Sequence, residues 1–243
     1  MEDQYYLFFV LALLAEIIGT VSGFGSSILF VPIAAAFIDF KLVLGITAVF
    51  HVFSNLSKIV LFQTGIDKSI AIKLGVPAVI FVTIGAILTN YIPQKEIEIG
   101  MNLIILAIAA YLISGQAQKI QQTNTNLYAG GTISGFLAGL IGTGGAIRGI
   151  TLAAFHLEKN TFIATSALID LGVDSSRAVV YIYNGYFLSK HLVLIPFLIL
   201  ISVLGTYLGK LILTKISNEL FKYVVLGVII LMSLVQTVKY FFQ

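Results

Sequence analysis

The chain has 243 residues, of which 58% are hydrophobic and only 10% charged, and its formal net charge is +3. An ordinary soluble domain carries roughly 25% charged residues, so this composition, with a mean hydropathy of +1.03, excludes a soluble fold and indicates an integral membrane protein. So small a charge excess fits lysines that orient a chain in a bilayer rather than a nucleic-acid surface, and the lack of cysteine excludes disulfides, thiolate metal sites and cysteine nucleophiles.

The start, Met1-Glu2-Asp3-Gln4-Tyr5-Tyr6, has no positive n-region of a secretory signal, so the first apolar stretch is expected to be retained. From Tyr5 to about Ser22 the sequence predicts an apolar helix with a single acid, Glu16, and a Gly19-xxx-Gly23 spacing that admits close helix packing. A glycine-rich break follows, Gly23-Phe24-Gly25-Ser26-Ser27, and then a short helix from Ile28 to Ile38. Glycine permits positive φ and close backbone approach, so the N–H groups opening that helix can be left unpaired inside the membrane, where they attract anions. At about 1.5 Å per residue the helix is marginal for a bilayer core about 30 Å thick, which makes it a re-entrant candidate. Leu42 to Gln63, Ser69 to Ile92 and Ile97 to Ser114 are long enough to span, and Pro77 is expected to kink the second of them.

Residues 115–126, rich in Gln, Thr and Asn, read as a linker between residues 1–114, an N-terminal repeat, and residues 127–243, a C-terminal repeat, the two forming one transmembrane domain. At a constant shift of 119, Gly23, Gly25, Ile28, Ala34, Ala35, Ala48, Ser57, Val60 and Pro77 meet Gly142, Gly144, Ile147, Ala153, Ala154, Ala167, Ser176, Val179 and Pro196. The fold expected is an all-α polytopic membrane protein. Its two halves are each a glycine-broken helical hairpin plus three transmembrane helices, roughly eight to ten segments in all. An odd number of crossings per half makes the repeats inverted. With the N- and C-termini outside, Lys68, Lys73, Lys119, Lys159, Lys210, Lys215 and Lys222 fall inside and Lys41, Lys95, Lys190 and Lys239 outside, the arrangement that the positive-inside rule prefers. Tyr5, Tyr6, Tyr91, Tyr240 and Phe241 are placed as interfacial belts.

Charges near the bilayer centre cost about 2.5–3.5 kcal/mol each on insertion scales, so each needs a reason. His51, Asn55 and Lys58 lie on one helical face, and Asp170, Asp174 and Arg177 occupy the same positions in the second half, with Thr47 and Ser166 extending the two faces by a turn. Two such faces suit a shared central cavity. Alternatively, Asp174 and Arg177 neutralise each other and Lys58 snorkels to the interface. Arg148 lies in the first turn after the second break, where the helix dipole disfavours a cation, so it either faces an anion or pairs with Glu16, Asp170 or Asp174. His51 is either a proton carrier or a hydrogen-bonded bundle histidine, while His156 and His191, near segment ends, read as interfacial or hydrogen-bonded.

The first break running into Pro32, its partner Gly142-Thr143-Gly144-Gly145, and Glu219-Leu220-Phe221-Lys222 before the last helix resemble the sulfite exporter TauE/SafE family over nearly the whole chain. The chain departs from the pattern at Gly25-Ser26-Ser27, where the family is richer in glycine, and at Thr151, where it usually has proline. The resemblance implies an inner-membrane carrier of sulfur-containing anions such as sulfite and sulfonates, with the two glycine motifs forming the substrate region.

The expectation is therefore a secondary transporter in the cell's inner membrane, not an enzyme, working by alternating access. The substrate-binding candidates are Gly23, Gly25, Ser26, Ser27, Gly142, Thr143, Gly144, Gly145, Arg148, His51, Asn55, Lys58 and Arg177. Glu16, Asp170 and Asp174 are candidates for proton coupling or charge pairing. No cofactor, metal or nucleic acid is expected. The partners are the small anion, the lipid bilayer, protons as a candidate coupling ion, and a second copy as an open option. An anion channel would share such a site, and a polytopic enzyme is disfavoured by the lack of an HExxH pair, a phosphate loop or a nucleophile–base motif.

Overall fold

The structure is a computed structural model that describes residues 2–35, 38–62, 65–114, 120–217 and 220. Lys119, Glu219, Phe221, Lys222, Lys239, Tyr240 and Phe241, and with them the expected last helix, lie outside the described residues, as does the side chain of Tyr5. The described residues form α1 (Glu2–Ser22), α2 (Ser27–Ala34), α3 (Phe40–Leu61), α4 (Lys68–Leu88), α5 (Gln94–Ile113), α6 (Asn124–Ile141), α7 (Gly145–Ala153) and α8 (Lys159–Tyr183), then a 3-10 turn (Ser189–Leu194) leading into α9 (Ile195–Thr214). No strand occurs among them.

Local chemistry sets the ends of the long helices. The Asp39 carboxylate accepts from the Leu42 N–H at 3.0 Å and the Asp67 carboxylate from the Ile70 N–H at 2.9 Å, so an aspartate caps α3 and α4 alike. Thr123 caps α6 by accepting from the Asn126 N–H at 3.2 Å. The short helices differ: neither Ser26 before α2 nor Gly144 before α7 makes a side-chain cap. α2 is shorter than expected, eight residues against a predicted run to Ile38; at 1.5 Å per residue it covers about 12 Å, less than half the bilayer core. Pro77 lies inside α4, but Pro196 opens α9, where a missing N–H is tolerated, so the two matched prolines stand in different places.

Among the described residues three helices are long and apolar enough to cross a membrane by length and composition, Phe40–Leu61, Lys68–Leu88 and Ser189–Thr214, with Tyr6–Ser22 a shorter apolar helix. On α4 the exposed residues Ile72, Val76, Ile80 and Ile84 recur every fourth position, an aliphatic stripe that suits lipid rather than water. Tyr6 and Tyr91 are exposed.

The packing partners exchange between halves. α4 packs on α6 and α8, and α9 packs on α1 and α3; α2 lies between α1 and α3, and α7 between α6 and α8; α3 meets α8, and α2 meets α7. Moving each element 119 residues along or back turns this set of contacts into itself. Asn55 and Asp174, 119 apart, are in direct contact at 2.6 Å.

The tightest interface is α4 on α6. A Cβ added to Gly131, Gly135 or Gly139 would stand 2.1, 2.2 and 2.1 Å from the carbonyl oxygens of Leu74, Ala78 and Val82. These helices touch backbone to backbone, as small residues allow in a bilayer. In the reciprocal interface, α1 on α9, the small residues lie on the other helix. Gly205 and Gly209 receive the Glu16 and Thr20 side chains, where an added Cβ would come within 2.8 and 2.6 Å.

Gly135→Ala is therefore expected to cost about 1–3 kcal/mol by forcing α4 and α6 apart. Gly100→Ala, whose added Cβ meets nothing within 4 Å, should raise stability by up to about 1 kcal/mol through helix propensity. Thermal unfolding in detergent measures both, and equal melting temperatures for the two variants would contradict the close packing.

Candidate functional site

Both breaks turn on left-handed glycines. Gly23 and Gly142, matched at the 119 shift, have φ of 74° and 78°, and Gly25 has φ of 83°. These conformations favour glycine and let the chain reverse into α2 and α7 without strain. Phe24, between Gly23 and Gly25, fixes how the halves approach: a Cβ on Gly145 would stand 1.9 Å from the Phe24 carbonyl oxygen, and one on Gly149 would stand 1.4 Å from its ring. The glycines of α7 are thus the imprint of the first break on the second half.

The carbonyls freed by the breaks are taken by the second half. The Arg148 Nη2 donates to the Phe24 carbonyl at 3.2 Å, the Ser166 hydroxyl to the Gly23 carbonyl at 3.3 Å, and the Arg177 Nη1 to the Gly142 carbonyl at 2.9 Å. Unpaired carbonyls in a bilayer core are costly, so these bonds hold the breaks in shape.

Among the described residues three buried ion pairs surround the junction. Lys58 pairs with Glu16 at 2.7 Å, Arg177 with Asp174 at 2.7 Å, and Arg148 with Asp170. Lys58 is buried and turned inward rather than snorkelling, and Arg148 takes Asp170 from among the three acids it could have met. Asp174 also accepts from the Asn55 amide at 2.6 Å, and the Arg148 Nε donates to Ser166 at 3.0 Å.

Glu16, with none of its surface exposed, is the most heavily bonded acid. Besides Lys58, its Oε1 accepts from Ser54 at 2.6 Å, Thr206 at 3.1 Å and Thr20 at 3.3 Å, and its Oε2 accepts from Ser26 at 2.8 Å. Ser26 thus spends its hydroxyl on Glu16 instead of capping α2.

His51 has its tautomer set by its neighbours. An arginine can only donate, so the Arg177 Nη2 at 2.9 Å makes His51 Nδ1 the acceptor. The ring is then neutral with its proton on Nε2, which donates to the Ser26 oxygen at 2.8 Å. Hydrogen bonds run in one direction from Arg177 through His51 and Ser26 to Glu16.

These groups enclose a polar cavity of about 10 Å³, lined by both breaks and by α3 and α8. That is room for about one water. Of the residues singled out in sequence, Gly25, Ser26, Ser27, His51, Asn55, Lys58, Gly142, Gly144, Gly145, Arg148, Asp170, Asp174 and Arg177 line it. Gly23 lines a second small cavity that shares Asp170, and Glu16 stands behind Ser26 and Lys58. Thr143 faces away, into an apolar pocket beside Ile28 and Ile105. His191 accepts from the Leu188 N–H in the 3-10 turn, and His156 sits in a turn at φ of 51°. Thr47 bonds its own helix at the Leu44 carbonyl.

A family model described as sulfite exporter TauE/SafE matches residues 8–235. The chain belongs to the sulfite exporter TauE/SafE family. Neither the curated proteins nor the solved structures compared with it give a match. As a member of the TauE/SafE family with apolar membrane-length helices, the protein is a membrane transporter.

Ser54, Thr20 and Thr206 were not singled out in sequence. Ser54 stands one turn before Lys58 and Thr20 one turn after Glu16, spacings that could have flagged them. Thr206 carries no such signal, because only the packing of α9 on α1 brings it to Glu16.

Lys58→Met leaves Glu16 as an unpaired buried charge and is expected to cost about 3–5 kcal/mol, whereas Glu16→Gln with Lys58→Met should regain most of it. Thermal melts of the two variants decide this; a double variant no more stable than the single one would contradict the pairing.

Proposed function

We propose that this chain is a secondary transporter that moves a small sulfur-containing anion, sulfite, a sulfonate or a similar organic anion, across the cell's inner membrane by alternating access with proton coupling. The observation that carries the reading is the convergence of two uncapped helix starts, α2 and α7, with Arg148 and Arg177 on one polar cavity inside an apolar bundle. Helix N-termini attract anions, and arginine binds oxyanions in two-pronged fashion. The family description names sulfite, which supports the substrate class proposed.

We read residues 1–114 and 127–243 as inverted repeats, with 115–126 as the linker. The exchange of packing partners between halves and the Asn55–Asp174 contact support a two-fold relation, and an odd number of crossings per half would invert it. The cavity is smaller than any sulfur oxyanion, so loading it needs the halves to part, as alternating access requires. The termini are placed outside on lysine bias, with Lys159 and Lys210 among the inner lysines. Each of these bonds carbonyls at a helix end, Lys159 those of Leu213 and Ile216 and Lys210 that of Leu61.

Arg148→Ala removes the cation nearest the second break. Uptake of radiolabelled sulfite into proteoliposomes should fall at least about 30-fold, the loss of roughly 2 kcal/mol of charge-assisted binding, while the variant remains folded by size-exclusion profile. Undiminished uptake would remove Arg148 from the site.

A further inference from the structure

We infer that Asp170 is the proton-accepting acid of this transporter and that the anion it carries takes Arg148 from Asp170 only when Asp170 is protonated. The inference rests on the anion-transport reading above. Charge balance comes first. Among the described residues three cations, Lys58, Arg148 and Arg177, face three acids, Glu16, Asp170 and Asp174, and His51 is neutral because Arg177 holds its Nδ1 as an acceptor. The buried charges of the described residues therefore cancel. A monoanion entering the site leaves an uncompensated charge inside the membrane, which is costly. One proton arriving with the anion restores balance.

The three acids are not equal candidates for that proton. Glu16 accepts from Lys58 and four hydroxyls and is sealed from the cavity, its side chain 0% exposed. Asp174 has both oxygens engaged, one by Arg177 and one by Asn55. Protonating either places a hydrogen where a donor already points. Asp170 accepts from Arg148 alone among the described residues, its side chain is the most open of the three at 12%, and it lines both the polar cavity and the second small cavity beside it.

The groups facing Asp170 are Arg148 from α7, His51 and Lys58 from α3, and Asp174 and Arg177 from its own helix, all lining the same cavity. α4, packed on another face of α8, has Lys68 and Lys73 as its only charged residues; Lys68 is exposed, and Lys73 is half-buried and bonded to Asn124. In the proposed step a proton from the aqueous phase binds the Asp170 carboxylate, the Arg148 pair opens, and the anion's oxygens accept from the Arg148 guanidinium. The protonated Asp170, now a donor, turns its O–H to the anion. Release of the anion and the proton on the other side restores the pair.

Methanesulfonate is a suitable probe because it does not titrate near neutral pH. Binding to the purified wild-type protein in weakly buffered detergent should take up about one proton per anion. The affinity should fall about tenfold for each pH unit above the Asp170 titration, by linkage. Asp170→Asn should remove the proton uptake and flatten the pH dependence. Should that variant not fold, Glu16→Gln with Lys58→Met and Asp174→Asn with Arg177→Gln, which keep the charges balanced, should each still take up the proton and locate it by elimination. pH-independent wild-type binding without proton uptake overturns the inference and leaves anion transport standing, and so does uptake that survives Asp170→Asn or is lost only in the Asp174→Asn double variant. If methanesulfonate, sulfite and thiosulfate all fail to bind between pH 5 and 8, both readings fall.

Discussion

Charge balance inside an apolar bundle is the constraint on which this structure depends. Among the described residues six ionised side chains lie buried where the two halves meet, and each is tolerated because its partner lies within a few ångströms. The pairs do not follow chain order. Lys58 reaches across to α1, Arg148 crosses from α7 to α8, and Arg177 stays on its own helix. The ion pairs thus tie α1 to α3 and α7 to α8, and the Asn55–Asp174 and Arg177–His51 hydrogen bonds tie α3 to α8.

Small residues make that closeness attainable. Gly131, Gly135 and Gly139 bring α6 onto the backbone of α4, and the corresponding positions of α1 are occupied by Ala12, Glu16 and Thr20, for which Gly205 and Gly209 of α9 clear the space. The two halves thus share an arrangement and differ in what fills it. The first half buries an acid in a groove that the second closes with glycine. Arg148, matched by Leu29, gives the second half a cation that the first lacks. The halves divide the work unequally around an otherwise reciprocal frame.

Much of this was legible in the sequence. The spans Leu42–Gln63 and Ser69–Ile92 fall within a few residues of α3 and α4, and the 119-residue spacing pointed to the faces of His51, Asn55, Lys58, Asp170, Asp174 and Arg177 before any packing was known. The pairing was not legible, because it depends on which helices touch. Arg148 had three acids to choose from, and Lys58 reads as a snorkelling lysine until α1 is seen to present Glu16 beside it. Thr143, a polar residue inside a glycine motif, looked like a ligand, but the left-handed turn at Gly142 sends it to the apolar side. The length of α2 was overestimated because apolar sequence alone carries no stop signal before Asp39.

The central claim is that an anion binds where the two breaks meet, against the Arg148–Asp170 pair. The most direct measurement is the sulfite-dependent thermal shift of the wild-type protein against that of a charge-neutral variant, Arg148→Gln with Asp170→Asn, which removes the pair without leaving a bare charge. At a ligand concentration of about 100 Kd the wild type should gain roughly 2.7 kcal/mol of stability, while the variant, folded and cooperative in its own melt, gains none. An equal sulfite-induced shift in both proteins would place the anion elsewhere and contradict the account.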